Sequence, residues 1–369
     1  MRMTQIKIVF STIAIVLMII SCANVSDSGT EVVDIIDNSD LPEWLIPKGQ
    51  VINAAQLDGI PSVDTPKFET VEQAADYLTD QDLVIILKFH NELRAYPHAI
   101  LDWHEMINDS YSQSMVTVSY CPLTGSGIAF EGRVNDSGVL KMSQFGVSGL
   151  LYNSNLIYYD RLTQSYWSQM RNIAVSGQVR GVRPEIIQSV ETTFHTLKQY
   201  YPNAKILSRE TGIYSAGQYR ISPYNLYKNE EVIHYPLDLD DLRLKRKERV
   251  LAFHQFETKR IYRFENFSDS ISIINDEIDG IPIAIIGSKK LDFMVGFERG
   301  TQSGNLLQLL PIQNEFPLVA KDQFGNKYDL FGKVTIKTFG VDLISLKGVI
   351  AYWFSWASMF HEMEIYGEL

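Results

Sequence analysis

The chain has 369 residues, 45% hydrophobic and 11% aromatic, with 44 acidic against 33 basic side chains and a formal net charge of −11. This composition supports a large packed core and excludes a disordered or fibrous protein. The acidic surplus argues against nucleic acid or an anionic lipid surface as a partner.

Residues 1–21 read as a targeting segment and stand outside the fold. Arg2 and Lys7 precede the apolar run Ile8–Ile20, which leads into Ile19-Ile20-Ser21-Cys22. The run is short of the ~20 residues a membrane span needs. An aliphatic residue three before a cysteine and a small one just before it form the bacterial lipobox pattern. It predicts cleavage ahead of Cys22 and lipidation of Cys22, with stable membrane anchoring through more than one acyl chain. Asn24 rather than an aspartate stands two after that cysteine, which points to a cell-envelope lipoprotein of the outer membrane, facing the periplasm or the surface. Residues 22–45 are a polar tether, and 46–369 form the folded part. With Cys22 lipidated, Cys121 has no disulfide partner in the chain.

Strand signals dominate the folded part. Leu83–Phe89 is apolar and β-branched, and Leu93–Tyr96 follows as in a hairpin. Met115–Tyr120, Gly127–Phe130 and Leu156–Tyr159 alternate. Helical patterns cover Val71–Leu78, Val190–Tyr200 and, more briefly, His98–His104. The pattern predicts a β-rich α+β fold with a few short helices and mainly antiparallel pairing.

An internal repeat runs through it. RAYP, IND, VTVSYC and AFEG in residues 91–132 recur as RIYR, IIND, IPIAII and GFERG in 259–300, at offsets of 165 to 167. Residues 159–167 face 320–328 in the same way. Two degenerate copies of one β unit are expected, over about 81–180 and 248–340. Between them lie a Tyr/Gly/Pro-rich loop, Gly212–Tyr227, and the charged stretch Asp238–Arg249. Trp103, His104 and Glu105 of the first copy face Asp269, Ser270 and Ile271, and Cys121 faces Ile286 or a near neighbour. Any chemistry is therefore assigned to the first copy.

Cys121 falls where a strand ends, because Pro122 cannot donate to a ladder. Gly125 and Gly127 permit a tight loop whose N–H groups, with the Thr124 hydroxyl, can hydrogen-bond a thiolate and lower its pKa. Cys-Pro-Leu-Thr resembles thiol redox motifs, but a further strand pattern follows it, which excludes a thioredoxin fold. The plain alternative is a buried packing cysteine. His104 is a candidate base or thiolate partner and Glu105 a candidate orienting group. A metal reading joins Cys121 to His104, although the histidine spacing suits no zinc motif. Trp103, Tyr120, Asn153, Ser154, Asp160 and Arg161 are candidates for lining a substrate pocket. No dinucleotide-type glycine motif is present, and no cofactor is expected.

Several segments together resemble the DUF3179 family of bacterial and archaeal proteins. They are Asp58-Gly59-Ile60-Pro61, Arg94-Ala95-Tyr96-Pro97, Trp103-His104-Glu105 and Tyr120-Cys121-Pro122-Leu123-Thr124-Gly125. Residues 145–154, Tyr159-Asp160-Arg161, Trp167-Ser168-Gln169 and 207–212 match as well. The family has no established activity. Some relatives are described as selenoproteins, which implies a redox role for the Cys121 position. Many relatives carry Cys-Pro-Leu-Cys; Thr124 replaces the last cysteine here, so a redox cycle needs an external thiol or electron donor. Two functions are expected to compete. One is an exported thiol oxidoreductase or peroxidase-like enzyme using Cys121, and the other a surface-anchored lipoprotein that binds a ligand, glycan or peptide around an inert cysteine.

Overall fold

The computed structural model describes residues 43–90, 92–300, 306–336 and 341–368; the export segment, Cys22 and most of the tether lie outside them. The described part is β-rich, with short helices and mainly antiparallel sheets.

Strand β1 (Leu83–Phe89) is a continuous apolar run because both of its faces are covered. Val84 and Ile86 enter one core, Ile85 and Leu87 another. β1 pairs with β2 (Glu92–Pro97) as the expected hairpin, Val84 opposite Pro97 and Phe89 opposite Glu92. Helix α1 (His98–His104) starts directly after Pro97. It stops at Glu105, whose left-handed φ of 56° turns the chain into β3 (Met106–Tyr111). β3, β4 (Ser114–Cys121) and β5 (Ser126–Glu131) form a meander. A second meander follows: β6 (Phe145–Tyr152), β7 (Asn155–Asp160), β8 (Tyr166–Ser168) and β9 (Ile173–Ser176). β10 (Ser189–Thr193) then returns antiparallel to β1; α2 (Phe194–Tyr200) leads to β11 (Lys205–Leu207), which lies parallel to β2.

The same order recurs in the second half. β12 (Arg249–Ala252) and β13 (Arg260–Arg263) pair, then β14 (Ser272–Ile278), β15 (Ile281–Ser288) and β16 (Phe293–Glu298) form a meander. Four short strands follow: β17 (Leu310–Pro311), β18 (Leu318–Lys321), β19 (Lys327–Asp329) and β20 (Val334–Ile336). β21 (Val349–Tyr352) returns antiparallel to β12; α3 (Trp353–Met359) leads to β22 (Glu364–Ile365), parallel to β13. The likeness thus runs beyond residues 180 and 340 to take in the closing strand, helix and parallel strand of each unit. One clip recurs atom for atom. Arg94 and Tyr96 converge on Asp109, the tyrosine at 2.6 Å, as Arg260 and Tyr262 converge on Asp276. The most legible repeated motif is therefore a structural staple.

The units interlock. β5 runs beside β21, and β10 beside β16. One core joins Val250, Ala252, Val349 and Trp353 of the second unit to Met106, Phe130, Phe145 and Trp167 of the first. Its counterpart joins Val84, Ile86, Val190 and Phe194 of the first to Ala284, Ile286, Phe293 and Val319 of the second. Each sheet's other face packs within its own unit.

Three expectations change. The helix expected over Val190–Tyr200 is half strand: Val190, Thr192 and Thr193 suit β10, and Thr193 caps α2 by accepting from the Thr196 N–H at 3.2 Å. The helix expected over Val71–Leu78 covers only Val71–Ala74, after which Asp76 and Tyr77 bond three residues back as a turn. The strand register also shifts the repeat. Asp109 and Val116 pair as Asp276 and Ile283 do, which sets Ser288 at the position of Cys121 and Ser272 at that of Glu105. Ile271 is therefore not the counterpart of Glu105, and the counterpart of Cys121 is Ser288, a near neighbour of Ile286.

Candidate active site

Cys121 is the last residue of β4, opposite Ser126, and is 1% exposed. Between them the chain turns through Pro122–Gly125, closed by the Thr124 N–H on the Cys121 carbonyl at 3.2 Å. Gly125 has φ +59°, and a Cβ there would stand 2.9 Å from the Tyr352 ring, so only glycine lets the turn sit against β21. A buried polar network holds the turn from the other side. Asn155 donates to the Thr124 hydroxyl (2.9 Å) and to Gln169 Oε1 (2.8 Å); the Ser126 hydroxyl also donates to Gln169 Oε1 (2.7 Å), and Gln169 Nε2 donates to Ser119 (3.0 Å). Such a network rigidifies when every member is satisfied and is costly when one is lost.

The thiol itself touches little that is polar. Its sulfur lies 3.8 Å from the Ser154 carbonyl. Burial pushes its pKa up to about 11 and the Glu105 charge adds to this; the Thr124 hydroxyl and the Thr124 and Leu156 N–H groups work in the opposite direction. The favourable loop contacts expected from the sequence are thus present but outweighed, and near neutrality Cys121 is a thiol rather than a thiolate. Glu105 is buried as well, with the Tyr224 hydroxyl at 3.3 Å as its side-chain hydrogen bond. Burial, reinforced by the charge of Asp102, pushes its carboxyl up to about 8 against the pull of Tyr224. Among the described residues no lysine or arginine pairs with it.

His104 does not serve the thiol. Its Nδ1 donates to the Pro61 carbonyl at 2.7 Å, which leaves Nε2 to accept from the Tyr219 hydroxyl at 2.7 Å. Both ring nitrogens are spent, and burial lowers its pKa. The pairing of His104 with Cys121, as base or as shared metal ligand, is therefore corrected: Glu105 is the ionisable neighbour whose charge reaches the sulfur. Among the described residues no three histidine, cysteine or acidic side chains are grouped to hold a metal ion.

The residues expected to line a substrate pocket hold the chain together instead. Asp160 accepts from Thr163, Ser165 and the Trp167 indole (3.0 Å), closing the β7–β8 turn. Arg161 binds Asp64 (2.6 Å) and Ser62 (2.8 Å), tying in the segment ahead of β1. Tyr120 is buried under the His98 ring, 4.3 Å away between centroids. Trp103, Asn153 and Ser154 fasten the linker between the units. Trp103 donates to the Ile221 carbonyl (3.2 Å), Ser154 to the Tyr235 carbonyl (2.9 Å), and Asn153 accepts from the Asp238 N–H (2.9 Å).

That linker is a strap over the Cys121 turn, and sequence reasoning missed it. Tyr224 reaches Glu105, Tyr227 donates to the Leu123 carbonyl (2.8 Å), and Lys228 binds both oxygens of Asp102 at 2.7 Å. Its tyrosine-rich composition was the available signal, but local pattern does not reveal what a loop covers. Asn155 and Ser126 were likewise unflagged.

Fold and site together define a β-rich α+β protein of two interlocked units, one of which carries a thiol and a carboxyl beneath a strap. Residues 57–363 match the family described as "Protein of unknown function (DUF3179)", and the chain belongs to that family. No curated protein and no solved structure matches it.

Proposed function

We propose that the first unit is a thiol-exchange site, with Cys121 as nucleophile and Glu105 as the group that takes and returns its proton. The observation that carries this reading is Glu105: a buried carboxyl with no counter-charge among the described residues, in a strained left-handed backbone position, beside a buried thiol. Such a group is costly to keep for packing alone. The second unit has Ser272 and Ser288 at the two positions, so the shared fold does not require the pair. A carboxyl held near 8 is matched to proton transfer close to neutral pH.

The chemistry follows from the thiol's state. A small disulfide enters when the strap moves aside; Cys121 passes its proton to Glu105 as its sulfur attacks one substrate sulfur. The other sulfur departs and leaves as a thiol after receiving that proton, and a mixed disulfide remains on Cys121. An external thiol then attacks the mixed disulfide, releasing Cys121 as a thiol and a new disulfide as product. Thr124 in place of a second cysteine makes the external thiol necessary. As a lipid-anchored envelope protein the chain meets both partners outside the cytoplasm.

The test is the pH dependence of Cys121 exchange with an aromatic disulfide reagent in wild type, Glu105→Gln and Cys121→Ser. The reading predicts labelling of the folded protein that disappears in Cys121→Ser and falls at least tenfold in Glu105→Gln. Labelling that occurs only on global unfolding, with the same rate in Glu105→Gln, returns Cys121 to a packing role.

A further inference from the structure

Asp102 lies on α1, three residues before Glu105, and its side chain is 2% exposed. Among the described residues the carboxylate's only hydrogen-bond or ion-pair partner is Lys228, which reaches both oxygens at 2.7 Å. The two come from different parts of the molecule. The carboxylate belongs to the body of the first unit, and the lysine to the strap that covers it. The same ammonium stands 5.6 Å from the centre of the Tyr120 ring, within the range over which an aromatic face attracts a cation. Carboxylate and ring together make a seat for one ammonium group, and Lys228 fills it. The register that sets Ser288 at the position of Cys121 sets Gly287 at that of Tyr120, so the second unit has no ring there.

The seat adjoins the thiol site. The Tyr120 N–H donates to the Glu105 carbonyl at 2.8 Å, which fastens the end of β4 to the end of α1. Tyr227, the strap residue before Lys228, donates to the Leu123 carbonyl inside the Cys121 turn. Lifting the strap from the turn therefore withdraws Lys228 as well. A buried carboxylate stripped of its counter-charge is strongly unfavourable, so the opened site favours another cation in the lysine's place. Lys228 is 23% exposed at its side chain and forms part of the wall of an open cavity of about 540 Å³. Lys245, Lys247, Glu230 and Glu231 lie on the same wall, so the mouth carries both signs of charge and selection falls to Asp102.

We infer that Asp102 and the Tyr120 ring form an ammonium-binding subsite beside Cys121, that Lys228 occupies it while the strap is closed, and that the disulfide exchanged at Cys121 carries a primary amine which takes the lysine's place. The substrate class rests on the thiol-exchange reading; the subsite itself does not. The amine keeps its proton throughout, and only the sulfur chemistry already described makes and breaks bonds.

The first experiment is chemical rescue in the full-length protein. Lys228→Ala should lose thermal stability. Propylammonium chloride, which restores the atoms removed, should raise its midpoint saturably relative to sodium chloride at matched ionic strength, as binding to the native state requires. Wild type and the double variant Asp102→Asn, Lys228→Ala should show no such response. The second experiment leaves Lys228 in place, so it decides the matter if Lys228→Ala does not fold. Exchange is timed with cystamine, with the uncharged hydroxyethyl disulfide and with dianionic dithiodipropionate, each rate divided by that of the same disulfide with a free thiol in solution. Cystamine should lead by at least tenfold, and Asp102→Asn should erase the lead. Rescue without any exchange upholds the subsite and overturns the thiol reading alone. Exchange at Cys121 with neither rescue nor a lead for cystamine overturns this inference and leaves that reading standing.

Discussion

Lys228 of the strap holds both carboxylate oxygens of Asp102 at 2.7 Å, and Asp102 is only 3% exposed. The contact neutralises a buried charge one helical turn from Glu105 while closing the strap over the Cys121 turn. Lys228→Met should therefore act twice. The orphaned Asp102 should destabilise the fold by about 1–3 kcal/mol, the cost of an unmatched buried group tempered by the partial exposure of Lys228. Alkylation of Cys121 should also accelerate under native conditions. Denaturant melts and alkylation kinetics on one preparation measure both.

Glu105 should make stability depend on pH with a definite sign. Its folded pKa near 8 lies above the unfolded value near 4.5, so the folded state holds the proton more tightly. Below the unfolded value the two states do not differ in protonation. As pH rises through that window stability falls, at up to about 1.4 kcal/mol per pH unit. Glu105→Gln removes the slope, so its stability relative to wild type should improve steadily from pH 5 to pH 8. Parallel slopes in urea melts across that range contradict the assignment.

His104→Ala separates structure from chemistry. It deletes a buried ring bonded to Pro61 and Tyr219, and should cost about 2–4 kcal/mol. The pH profile of Cys121 labelling should keep its midpoint, since both ring nitrogens are bonded to Pro61 and Tyr219. In wild type the lowered histidine pKa contributes stability that is present above the unfolded value and lost as pH falls through the folded one.

The network under the Cys121 turn predicts a large effect from a nearly isosteric change. Asn155→Leu strips a donor from Thr124 and Gln169 and the acceptor for the Met170 N–H, all buried. A loss of about 2–4 kcal/mol is expected, read from urea melts. The midpoint should fall while the urea dependence stays unchanged.

Neither repeat should fold by itself. The β1–β10 sheet face bearing Val84, Ile86 and Val190 is covered by the second unit, and Val250, Ala252 and Val349 by the first. Separately expressed halves should show no cooperative thermal transition, whereas the whole chain should unfold in one. A cooperative transition in either half alone contradicts this.

Much of the molecule was legible locally. Strand alternation and the unbroken apolar run at Leu83–Phe89 foretold the hairpin and meanders, because a strand's faces are set by neighbouring residues. The repeat and the Cys-Pro-Leu-Thr turn were readable for the same reason, and so was the family. Tertiary structure alone decided that each unit's sheet completes the other unit's core, since complementary apolar faces carry no label of their partner. It also decided that His104 turns to Pro61 and Tyr219, leaving Glu105 to face Cys121, and that a remote linker supplies Tyr224, Tyr227 and Lys228 as a cover. Those outcomes depend on strand register and on contacts across more than a hundred residues, where a shift of one or two positions exchanges serine for isoleucine at the site's counterpart.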